Sequence, residues 1–139
     1  MIITLFAGLL PFLTVTTPVE AYIAPEAPKV AYTTREDVKR LIRQLAIRYD
    51  VDQDLALRIA CAESNLKPTA KNSHSSAEGV YQFLDGTWEY YGMKYWKTLE
   101  GKDKLDAEDN VELAMIVLSK IGTSDWNESK NVWLYKTCV

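Results

Sequence analysis

The sequence predicts a single, mostly α-helical domain with few or no strands, and three observations carry that expectation. Apolar residues recur at helical spacing in three separate segments, each opened by a residue able to cap a helix. No segment sustains the period-two alternation of a half-buried strand. The 139 residues are 47% hydrophobic and 25% charged, which matches one ordinary globular core and leaves no room for two.

The first segment, MIITLFAGLLPFLTVTTPVEA, stands apart from that domain. Its apolar run from Ile2 to Val15 ends in Pro18, and small or short residues precede Tyr22, so residues 1–21 read as a signal peptide cleaved near Ala21-Tyr22. No Lys or Arg precedes the run. The alternative, an uncleaved anchor, needs a longer span than one interrupted by Pro11 and Pro18. Residues 22–33, with Pro25 and Pro28, read as an extended linker, and the domain is expected over 34–139.

The first helix is expected to start at the capping signal Thr34-Arg35-Glu36-Asp37, with Val38, Leu41, Ile42, Leu45, Ala46 and Tyr49 as its buried stripe. Its basic face is either simply solvated or turned toward an anionic polymer. A second helix runs from the cap candidate Asp52 to Glu63, with Leu55, Ile59 and Ala62 inward and Ala56 and Ala60 allowing close approach. A third piece starts at Asp85, read as its N-cap, and stops near Gly92. Asp106 caps a fourth, whose Val111, Ala114, Met115, Leu118 and Ile121 repeat until Gly122.

Several functions are disfavoured from composition. A formal net charge of −3 argues against nucleic-acid binding. His74 is the only histidine and lies in a polar stretch, so neither a Ser-His-Asp site nor a metal site has supporting spacing. Cys61 and Cys138 are either two unpaired thiols or, as export favours, a disulfide. Such a bridge would stabilise by about 4–5 kcal/mol in the chain-entropy model.

The chemically suggestive position is Glu63, at the end of LALRIACA and ahead of a polar loop. A carboxylate there faces the negative pole of the helix dipole, and an apolar cleft would raise its pKa further. A carboxylic acid kept protonated near neutral pH can donate to a glycosidic oxygen. On local sequence alone, an exposed glutamate without a role is the better reading.

The surrounding residues add a resemblance. Glu63-Ser64, Ser76-Ala77-Glu78-Gly79, Val80-Tyr81-Gln82-Phe83, Thr87-Trp88 and Asp109-Asn110 resemble the soluble lytic transglycosylase domain of the lysozyme-like superfamily, over roughly residues 36–122. The resemblance implies a small lysozyme-like helical domain with a substrate cleft, exported to the periplasm or cell wall and acting as a monomer on peptidoglycan glycan strands. It implies no cofactor and no metal. Glu63 would be the catalytic acid/base, Ser64 would orient it, and Gln82 would bind the sugar. Gly79 would admit the substrate close to the backbone, Tyr81 would line a sugar subsite, and Asn110 would support the site. Phe83 and Trp88 read more readily as core, while Trp126 and Trp133 fit core or cleft wall.

The sequence departs from the family at a later Tyr-Asn-(Ala/Ser)-Gly-like motif, whose tyrosine approaches the catalytic glutamate. None follows Gly122 here, which leaves Tyr90, Tyr91 or Tyr135 as substitutes. The expected reaction uses one carboxylate and leaves 1,6-anhydromuramyl ends. A lysozyme-type hydrolysis would need a second carboxylate, with Glu78 and Asp85 as candidates. A catalytically inactive wall-binding module is the remaining alternative.

Overall fold

The computed structural model describes residues 30–138, so the expected signal peptide and most of the linker lie outside the described residues. Five helices appear in order: α1 (Arg35–Tyr49), α2 (Gln53–Ser64), α3 (Asp85–Tyr95), α4 (Ala107–Ile121) and α5 (Lys130–Trp133). A 3-10 turn, Ser124–Trp126, precedes α5. Among the described residues there is no strand, only isolated bridges from Glu78 to Lys71 and to Phe83.

The expected capping box starts α1: Thr34 Oγ1 accepts from the Asp37 N–H, and the Asp37 carboxylate accepts from the Thr34 N–H. Val38, Leu41, Ile42, Leu45 and Ala46 are buried, and α1 packs on both α2 and α4. Tyr49 is only half-buried and donates its hydroxyl to Glu112 Oε1 at 2.9 Å. Asp106 caps α4 by accepting from the N–H groups of Glu108 and Asp109. Of the expected α4 stripe, Ile121, the last helical residue, alone is exposed.

Two elements differ from expectation. The buried face of α2 is wider than one stripe and comprises Ala56, Leu57, Ile59, Ala60 and Cys61, while Leu55 and Ala62 are half-buried. Two partners explain the difference, since α2 is covered by α1 on one flank and by α5 on the other. In α3 the cap is Leu84, without a side-chain bond, and Asp85 is the first helical residue. Its carboxylate pairs with the almost buried Lys104 ammonium, a charge that needs an anion more than the helix end needs a cap. The helix also runs through Gly92 rather than stopping there. Leu99 packs so closely against that glycine that a Cβ would clash with its side chain.

The core takes much of its content from outside the regular helices: Leu66, Val80, Tyr81, Phe83 and Trp126 are all buried, and Trp133 joins them from α5. Cys61 and Cys138 are bridged, with Cα atoms 6.0 Å apart across a sequence separation of 77. Beside the bridge, Lys136 Nζ donates to the Cys61 carbonyl at 2.9 Å. The chain after α4 is therefore fastened back onto α2 close to Glu63.

Candidate active site

Glu63 lies in the last turn of α2, half-buried, on the wall of an open cleft of about 630 Å³. Tyr81, Phe83, Tyr90, Tyr91 and Trp126 supply the aromatic lining of that cleft, and Ser129 closes it beside the carboxyl. A second, more polar basin of about 590 Å³ opens on the other side of Glu63, lined by Ser64, Asn65, Asn72, His74 and Lys136. Among the described residues, only Glu63 and Gln82 line both. An extended polymer crossing from one basin to the other must pass these two side chains.

Burial raises the Glu63 carboxyl above its ordinary range, and a hydrogen bond from Ser129 Oγ to Oε1 at 2.5 Å partly offsets that rise. No cation pairs with it among the described residues. The negative end of the α2 dipole acts in the same direction as burial. The result is a carboxyl biased toward its acid form, open to solvent on the cleft side.

Gln82 is the other residue shared by the two basins. Its backbone takes a left-handed conformation at φ 54°, and its Nε2 donates to the Gly79 carbonyl at 2.9 Å and the Ala70 carbonyl at 3.3 Å. The amide is thereby held by its nitrogen, which leaves its oxygen for a ligand. A family model described as the transglycosylase SLT domain matches residues 40–134, from within α1 to just past α5. The chain belongs to the transglycosylase SLT family. No curated protein matches it significantly.

This SLT domain is therefore of the lytic transglycosylase type, acting on cell-wall peptidoglycan. Its helices include none, among the described residues, long and apolar enough to cross a membrane. The matched span holds both Glu63 and Ser129 but stops before Cys138, so the disulfide's second half lies beyond the matched residues.

The other expected site residues make internal contacts, and of these Tyr81 also lines the Glu63 cleft while Ser64 lines the polar basin. Asn110 is fully buried; its Oδ1 accepts from the Tyr81 N–H at 2.8 Å, and its Nδ2 donates to the carbonyls of Lys104 at 2.8 Å and Glu78 at 3.3 Å. Gly79 sits at φ +80°, where a Cβ would press into that same Asn110 side chain and the Lys104 carbonyl. The glycine is explained by this internal packing. Tyr81 is 1% exposed, with its hydroxyl donating to the Ala56 carbonyl at 3.0 Å, so its ring anchors the loop to α2. Ser64 Oγ donates to the Val80 carbonyl at 2.7 Å and thus holds the same loop to the helix that carries Glu63. Gly79→Ala is expected to cost about 1–3 kcal/mol through overpacking and backbone strain, measured as a lowered denaturation midpoint.

The other carboxylates expected near the acid are occupied elsewhere. Glu78 pairs with Lys71 at 3.0 Å and Lys104 at 3.6 Å, Asp85 pairs with Lys104, and neither lines the cleft with Glu63. Asp125 and Glu128 do line it, and Asp125 pairs with the Tyr91 hydroxyl. Tyr135 is 83% exposed and away from the cleft lining, while Tyr90 lines it with a largely exposed ring. The group that reaches Glu63 is Ser129. Nothing in the sequence marks it, since it lies 66 residues away in an aperiodic segment.

Proposed function

We propose that this SLT domain is an exported lytic transglycosylase that uses Glu63 alone as acid and base. It cuts the β-1,4 bond between N-acetylmuramic acid and N-acetylglucosamine and leaves a 1,6-anhydromuramyl end. The observation that carries this reading is a half-buried carboxyl, raised in pKa, at the junction of two basins, whose hydrogen-bond partner is Ser129 and not a second carboxyl. Protonated Glu63 gives its proton to the glycosidic oxygen as the C1–O bond breaks, and the substrate's own acetamido oxygen bonds C1. The Glu63 carboxylate then takes the proton of the muramyl O6 hydroxyl, O6 bonds C1, and the acetamido oxygen leaves. No water is consumed, and the acid form is restored. The Cys61–Cys138 bridge supports export, because such bridges persist in oxidising compartments.

A hydrolase has one observation in its favour: Glu128 lines the Glu63 cleft, where a second carboxylate could activate water. Mass spectrometry of the soluble products from purified peptidoglycan separates the readings. Products one water lighter than reducing-end muropeptides are the expected result. Reducing-end products would replace the proposal with the hydrolase, and retained wall binding without products would leave a binding module.

A further inference from the structure

We infer that Ser129 is a positioning residue that holds Glu63 in place in both of its protonation states. This rests on Glu63 being the acid/base. The Ser129 hydroxyl stands 2.5 Å from Glu63 Oε1 and 3.0 Å from the Trp126 carbonyl oxygen. A serine hydroxyl has one proton to give and two lone pairs to accept with. When Glu63 is ionised, the proton of Ser129 points at the carboxylate. When Glu63 is protonated, the carboxyl donates to Ser129 Oγ, and the serine proton turns to the Trp126 carbonyl. No heavy atom moves between the two arrangements, which suits a carboxyl that changes roles within one catalytic cycle.

The second acceptor is itself fixed. Trp126 is buried, its indole N–H donates to the Tyr81 carbonyl at 3.2 Å, and its own carbonyl also accepts from the Trp133 indole at 2.9 Å. A carbonyl has two lone pairs, so both donors can be received. Ser129 is thus set by the core on one side and by the acid on the other. The remaining ionisable groups around Glu63, among the described residues, are Tyr81, Asp125, Glu128, Tyr90 and Tyr91 in the aromatic basin, and Lys67, Lys71, His74 and Lys136 in the polar one. None of them hydrogen-bonds Glu63.

The test compares the oxidised protein with Ser129→Ala, reading the Glu63 carboxyl by 13C NMR titration and kcat and KM across pH. Ser129 donates to the ionised form, so its loss is expected to raise the Glu63 midpoint. Activity that requires the acid form falls as pH rises through that midpoint, so the alkaline limb should move to higher pH. At the optimum kcat should fall about tenfold or more with little change in KM. Ser129→Thr should restore both readings, while Ser129→Val, of the same shape without the hydroxyl, should not. An unmoved midpoint in folded Ser129→Ala, or equal behaviour of the Thr and Val variants, would overturn the inference. A shifted midpoint in a protein that cleaves nothing would uphold the pairing and count against the transglycosylase reading instead.

Discussion

Glu63→Gln is expected to reduce turnover of peptidoglycan by about a thousandfold or more, since the amide can neither give nor take the proton. The same change should leave the fold intact, because the Gln oxygen still accepts from Ser129. Its effect on stability has a definite pH dependence. The folded protein raises the Glu63 pKa, so the wild type holds its full stability below the unfolded value of 4.5 and loses some as pH climbs through the folded value. Glutamine has no such loss. The melting temperature of Glu63→Gln should therefore rise relative to the wild type as pH climbs above 4.5, while activity is lost throughout. Higher stability joined to lost activity is what an acid kept for chemistry predicts. A variant that cleaves at the wild-type rate would sink the assignment of Glu63.

Loss of the disulfide should produce the largest stability change. A bridge across a separation of 77 contributes about 4–5 kcal/mol in the chain-entropy model. For a domain of this size that corresponds to a melting temperature lower by about 15–25 °C. Reduction and the paired change Cys61→Ser with Cys138→Ser should agree, which separates the bridge from any chemistry of free thiols. A drop of only a few degrees would show that α5 is held by Trp133 and the α2 contact without covalent help.

The sequence made α1 and α4 legible because each has a cap and a regular apolar stripe, and both physical signals act locally. The buried face of α2 was misread because a helix covered on two flanks hides more than one stripe. Gly92 looked like a stop and is a contact point for Leu99, a distinction that depends on a residue beyond the helix. The short α5 is too brief for any periodicity and forms only through the packing of Trp133. Of the candidate site, Glu63 stood out as a misplaced charge. Gly79 and Asn110 stand out as residues of the right type and brace the loop from within, while Tyr81 both braces it and lines the cleft. Ser129 was invisible, because a hydrogen bond between segments far apart in the chain leaves no local pattern.

The 66-residue separation between Glu63 and Ser129 also sets an order in time. A ribosome makes the acid first, and at its elongation rate of roughly 5–20 residues per second the partner serine follows seconds later. Throughout that interval the nascent chain carries Glu63 without Trp126, Ser129 or the second half of the bridge. The cleft has no closing wall until those residues emerge.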